Sequence, residues 1–213
     1  MKKIVFLTFL AFINCNKKTE KKVIINADSD SLRSQIIAPE KEDTATVPFS
    51  KSLTGNGYFY TLEGIKKSNE TIDFKSINIF YKRELHQKII FDTVSVLNEN
   101  EAYFSIDKDA NFDGYNDLEV VNQVGNYFSS SSFWLYNKKN KKYIYYKPFD
   151  SIINPGIDAK NKAIISDYYI GPSNFYSKTY EWKGGNLILQ SMRIDEEGEV
   201  TEMYRKNGKL ISR

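Results

Sequence analysis

From Tyr58 onward the chain is a run of short segments dominated by β-branched and aromatic residues. "GYFYTLEGI", "KIIFDTVSVL", "SFWLYN", "KYIYYKPF", "KAIISDYYI" and "FYSKTYEW" follow one another, separated by Gly, Asn, Asp, Pro or Lys-Asn pairs. Such segments fit a pleated, half-buried surface, and the punctuation supplies turns. Ile77, Ile79 and Tyr81 alternate with polar residues, the period of a strand buried on one face. "DFKSINIFYKRELHQKII" can be forced to a helical period, but its β-branched content argues for strands. The "KNKK" at Lys139–Lys142, the "KGGN" at Lys183–Asn186 and the "EEGE" at Glu196–Glu199 read as hairpin connections. The expected fold is all-β: one antiparallel β-meander domain, sandwich or propeller-like, over residues 52–213.

The segment before it differs. "MKKIVFLTFLAFINC" opens with Lys2 and Lys3, continues apolar from Ile4 to Ile13 and ends on Cys15, the chain's only cysteine. It has the form of a secretory signal, too short for a permanent membrane span. Residues 1–14 are read as a signal peptide and residues 15–51 as a linker, too poor in aromatics and too polar to bury a core. Without Lys2 and Lys3, 28 basic residues stand against 27 acidic ones. So balanced a chain has no field for nucleic acid. With one cysteine and one histidine, neither an internal disulfide nor a zinc site is expected.

The chemically specific stretch is "DKDANFDGYNDL", Asp107–Leu118. Counting from Asp109, oxygen-bearing side chains fall at position 1 (Asp109), 3 (Asn111), 5 (Asp113) and 9 (Asp117). Gly114 takes position 6, and the Tyr115 carbonyl falls at 7. That is the spacing of a calcium-binding loop: hard oxygens converge, and glycine makes the sharp turn. Position 12 is Val120 instead of a bidentate glutamate, and strand-like sequence flanks the loop on both sides. The motif is therefore a strand–loop–strand calcium site, similar to those of FG-GAP and integrin-type blades. The ion is read as structural.

A catalytic constellation is not legible. His86, the sole histidine, sits in the charged "RELHQK". There is no G-x-S-x-G, P-loop or G-x-G-x-x-G, and the carboxylates are scattered on turns. The expectation is a protein that is not an enzyme. Trp134 and Trp182 lie in aromatic strands and are expected in the core.

"NFDGYNDL", then "FWLYN", then "PFDSIINPGIDAKNKAIISDYYIGPSNFYSKTYEWKGGNLIL" resemble a family of small bacterial periplasmic lipoproteins. These are immunity proteins against lysozyme-like effectors of antibacterial secretion systems, related to periplasmic inhibitors of invertebrate-type lysozyme. The resemblance covers residues 102–189. "FINC" resembles a lipoprotein lipobox, with Asn14 where a small residue is usual, and makes Cys15 the lipidated residue. The resemblance implies the calcium ligands named above and an inhibitory loop formed by Gly171, Pro172, Ser173, Asn174, Phe175 and Tyr176. It also implies a lysozyme-like hydrolase as protein partner, and a lipid-anchored place in the cell envelope, facing the periplasm or on the outer-membrane surface. The alternative is a calcium-stabilised surface lipoprotein that binds glycan or an envelope protein. Asn126–Ser132 is the next candidate contact loop. The C-terminal "MYRKNGKLIS" resembles a single hairpin of MORN type.

Overall fold

The computed structural model describes residues 45–213. The signal peptide, Cys15 and most of the expected linker lie outside the described residues. Among the described residues fourteen strands form three antiparallel sheets, each an up-and-down meander. The first sheet holds β1 (Thr46–Gly55), β2 (Tyr58–Lys67), β3 (Ile72–Tyr81) and β4 (Glu84–Val96). The second holds β5 (Phe104–Lys108), β6 (Asp117–Val124), β7 (Ser129–Asn137) and β8 (Lys142–Tyr145). A 3₁₀ turn, Lys147–Ser151, leads to the third. That sheet holds β9 (Pro155–Asp158), β10 (Ala163–Ile170), β11 (Asn174–Lys183), β12 (Asn186–Glu196), β13 (Glu199–Lys206) and β14 (Lys209–Ser212). The all-β meander expected from the segment texture is what forms.

Type I′ turns, whose twist matches that of the strands, connect many of the hairpins. Asn56-Gly57, Lys82-Arg83, Gly184-Gly185, Glu197-Gly198 and Asn207-Gly208 all hold two consecutive residues at positive φ. At Lys82-Arg83 neither residue is glycine, so that turn carries a local backbone cost.

The strand domain begins earlier than residue 52. Residues 46–51, assigned to the linker from sequence, are the first half of β1 and pair with β2 from Thr46↔Lys67 onward. Phe49 is buried in the core, and that apolar contact pulls the segment into the sheet. Pro48 is tolerated because β1 is an edge strand.

Two cores sit on opposite faces of the second sheet. Tyr60, Leu62, Phe74 and Ile79 of the first sheet pack with Leu118, Val120 and Trp134. On the other face Phe133, one residue from Trp134, meets Phe149 of the 3₁₀ turn and Ile164 of β10. The Phe133 and Phe149 ring centroids lie 4.1 Å apart. Strand alternation at Phe133-Trp134 thus makes the second sheet the middle layer. In β3 the buried parity changes from Ile72 and Phe74 to Ile77 and Ile79 across an interruption in pairing between Phe74 and Ser76. Gly64 stands opposite Phe74 there, and a Cβ on it would lie 2.4 Å from the Asp73 carbonyl oxygen. Tyr81, expected on the buried face with Ile77 and Ile79, is instead exposed at the strand end. In β11 through β14 no residue is fully buried.

Candidate functional site

The loop between β5 and β6 folds around Asp109. Its Oδ1 accepts the Asp113 N–H at 3.1 Å and its Oδ2 the Gly114 N–H at 2.8 Å. Asn111 Oδ1 accepts from Asp113 N–H at 3.1 Å, and Asp113 Oδ1 accepts from Tyr115 N–H at 3.0 Å. Each short acidic side chain turns back on the backbone ahead of it, the habit that places Asp and Asn in turns. Phe112 (φ 60) and Gly114 (φ 87) take left-handed conformations. Only at Gly114 is that free of strain. Phe112 offsets its strain by packing on the second core.

Asp117 behaves differently from its neighbours. It is only 1% exposed, and its two oxygens accept the N–H groups of Ala110 and Tyr136, each at 2.8 Å. The Ala110 carbonyl in turn accepts the Trp182 Nε1–H at 2.8 Å. One residue of the loop, Ala110, is therefore held from both of its peptide groups, between the middle sheet and β11. Burial pushes the Asp117 carboxyl up to about 7; the two N–H bonds oppose this, and the charges of Asp113 and Asp109 add to it. Among the described residues no Lys or Arg forms an ion pair with Asp109, Asp113 or Asp117.

Among the described residues no group of three or more His, Cys, Asp or Glu side chains is placed to hold one ion. A hard cation at this loop would rest on the Asp109 and Asp113 carboxylates, the Asn111 amide oxygen and the Tyr115 carbonyl, which suit it as oxygen donors. Asp117, counted from sequence as a ligand at position 9, directly or through water, lies behind them as the group that fixes the loop to the fold. Sequence spacing located the loop, but nothing in it indicates that Asp117 binds the N–H of Tyr136, on another strand.

The expected partner loop is the β10–β11 hairpin. Ile170 pairs with Asn174, so Gly171, Pro172 and Ser173 form the exposed tip while Asn174, Phe175 and Tyr176 open β11. Tyr176 stacks on Tyr168, centroids 5.1 Å apart and planes 8° from parallel, and its hydroxyl donates to Glu196 Oε1. Phe175 packs on Tyr169, at 5.0 Å between centroids. The second candidate loop, Asn126–Ser132, is tied to β10, the strand that leads into this hairpin. Asn154 Nδ2 donates to the Tyr127 carbonyl (3.2 Å) and to the Asp167 carbonyl (2.8 Å), tying the β6–β7 turn to β10. Asn154 Oδ1 also accepts the Ser129 N–H. The β6–β7 turn and the end of β10 thus form one rim on which Val124 (54%), Tyr127 (65%), Phe128 (39%), Tyr169 (49%) and Ile170 (55%) are exposed.

His86 is far in sequence from both loops. Its Nε2 bonds the Lys141 carbonyl at 2.7 Å, and its ring lies against Tyr58 and Tyr81. Trp134 is buried and Trp182 packs on the second core, as expected from their strands.

The fold and site define an all-β meander domain of three antiparallel sheets, with a self-bonded acidic loop and an aromatic rim. A solved structure shares the fold: a Xanthomonas type IV secretion system related protein aligns with a TM-score of 0.59 at 14% identity, over 80% of this chain and 97% of that one. At that identity the likeness is one of fold. No protein-family model matches the chain, and no curated protein matches it. Among the described residues no helix is long and apolar enough to cross a membrane.

Proposed function

We propose that this chain is an envelope lipoprotein, anchored through Cys15, that binds a lysozyme-like cell-wall hydrolase and blocks it. The observation that carries the reading is the rim. The β6–β7 loop and the far half of β10, far apart in sequence, are tied together by Asn154 and expose five large apolar side chains. Rigid aromatic side chains on tied-down loops are efficient protein contacts, because little side-chain freedom is lost on binding. The fold neighbour is described as related to a secretion system, which accords with an immunity protein against a secreted effector. The test is capture from envelope extracts on the immobilised protein, with mass spectrometry of what is retained. A muramidase-like hydrolase is expected. Retention of saccharide or of a transporter component instead would move the protein to the class of envelope binding modules.

Calcium belongs to the same proposal, as a structural ion on Asp109, Asn111, Asp113 and the Tyr115 carbonyl. It would offset a concentration of negative charge that no side chain among the described residues neutralises. A ligand present at a hundred times its dissociation constant and bound only to the native state stabilises by about 2.7 kcal/mol. Melting in excess calcium is therefore expected several degrees above melting in chelator, and Asp113→Ala should close most of that gap. Overlaid curves for the wild type would remove calcium from the account.

A further inference from the structure

Between the second half of β4 and the middle sheet lies an open cleft of about 590 Å³. Two irregularities in the ladders shape it. Pairing of β3 with β4 jumps from Phe74↔Val94 to Ser76↔Ile90, leaving Phe91, Asp92 and Thr93 out of register. Pairing of β6 with β7 jumps from Val121↔Ser131 to Gln123↔Ser130, leaving out Asn122. Bulges re-aim side chains, and all four of these residues line the cleft. Phe91 meets Trp134 at 5.6 Å between centroids, and Trp134 meets Tyr145 at 5.3 Å, so one wall is aromatic. Tyr145 is 45% exposed on it.

The polar lining has a definite sense. Ser132 Oγ donates to Asp150 Oδ1 at 3.0 Å, and the Tyr145 hydroxyl donates to Oδ2. Asn122 Nδ2 donates to Ser132 Oγ at 2.8 Å, and Ser95 Oγ donates away to Asp73. Most donors are thereby used, and the carboxylate lone pairs of Asp150 and Asp92 remain. Burial raises the pKa of the Tyr145 hydroxyl, as does the charge of Asp150 and, further down, of Asp92, so both acids act on the same spot. Among the described residues no Lys or Arg lines the cleft. Among the described residues neither acid takes part in an ion pair.

Such a lining repels anions. A neutral sugar could donate its hydroxyls to the two carboxylates, but it would leave their charge uncompensated. A metal ion would find two carboxylates, and among the described residues no third ligand of the acidic, histidine or cysteine type joins them. A guanidinium fits: it has five donors and no acceptor, carries positive charge, and is flat enough to stack on an aromatic ring while bonding a carboxylate.

We propose that this cleft receives an arginine side chain of the protein partner, held by Asp150 and Asp92 and stacked on Tyr145. The proposal rests on the reading of the chain as a protein-binding module and names the chemistry of its partner. The strands that carry Asn122 and Ser132 run on to Val124 and Ser129, at the β6–β7 turn of the rim.

The probe is the blocked tripeptide Gly-Arg-Gly, titrated into the full chain in mild detergent and followed by the nuclear magnetic resonance signals of the Tyr145 and Trp134 rings. The same peptide with citrulline, equal in shape but uncharged, is the control. The arginine peptide is expected to bind with a dissociation constant on the order of 1 mM, and the citrulline peptide at least about tenfold more weakly. Asp150→Asn and Asp92→Asn should each weaken arginine binding by about the same factor. Asp92 makes no side-chain hydrogen bond among the described residues, so its variant keeps the fold and the test interpretable. No shift with the arginine peptide, equal binding of citrulline, or unchanged affinity in both variants would overturn the proposal. A preference for N-acetylglucosamine trimer at the same rings would also overturn it, in favour of a saccharide site. If the arginine peptide binds but no hydrolase is captured, the cleft stands and the inhibitor reading falls.

Discussion

Asp117→Ala is expected to be strongly destabilising. It leaves the buried N–H groups of Ala110 and Tyr136 without partners. Each orphaned group costs about 1–3 kcal/mol, so the variant should lose about 2–6 kcal/mol at pH 5. That is a large share of the roughly 5–15 kcal/mol that holds a domain together. Asn at the same position keeps one acceptor oxygen and should fall between. The pH dependence gives a second handle. Asp117 has a folded pKa of about 7, above its ordinary value of 3.8. Between those values the native state binds more protons than the unfolded chain, so without calcium stability falls as pH rises from about 4 to 7. The fall amounts to a few kcal/mol at most, and it should vanish in Asp117→Ala. Urea midpoints at pH 5 and pH 7.5 in chelator measure both effects. A variant within about 0.5 kcal/mol of wild type at pH 5 would show that the two N–H groups find other partners.

The second large effect is on binding. Tyr127→Ala combined with Tyr169→Ala removes the most exposed aromatic from the β6–β7 turn and from β10 while leaving Asn154 and its bonds in place. A contact residue at the centre of an interface costs roughly 2 kcal/mol or more on truncation, about thirtyfold in affinity. If the two act independently, the double variant should bind the captured hydrolase about a thousandfold more weakly. Tyr176→Ala would be harder to interpret. Its ring is stacked on Tyr168 and its hydroxyl is held by Glu196, so the substitution disturbs the third sheet as well as any contact. Surface plasmon resonance with single and double variants separates the cases. A double variant that binds like wild type would place the contact surface elsewhere, with the cleft at Asp150 as the next surface.

Much of the fold was legible because strand texture is local. The β-branched and aromatic runs, and turns such as Gly184-Gly185, announce themselves within a few residues. The start of β1 was hidden because Pro48 and the neighbouring charges look like linker, and only the burial of Phe49 against distant strands outweighs them. The acidic loop was legible as spacing, since Asp109, Asn111, Asp113 and Gly114 bond to one another. The inward role of Asp117 was not, because its second partner lies 19 residues on. Asn154, in the unremarkable "SIINPG", joins the rim through long-range bonds that no pattern in sequence reveals. The cleft at Asp92 and Asp150 depends on two interruptions in strand pairing, and pairing register is a tertiary outcome.

The most direct test of the inhibitor reading is turbidity clearing of purified cell walls by the captured hydrolase, with this protein titrated in. The account predicts that clearing stops near one equivalent of the wild-type protein and continues at the same concentration of the Tyr127→Ala, Tyr169→Ala double variant. Unimpeded clearing at saturating wild-type protein, for every hydrolase that it captures, would contradict it.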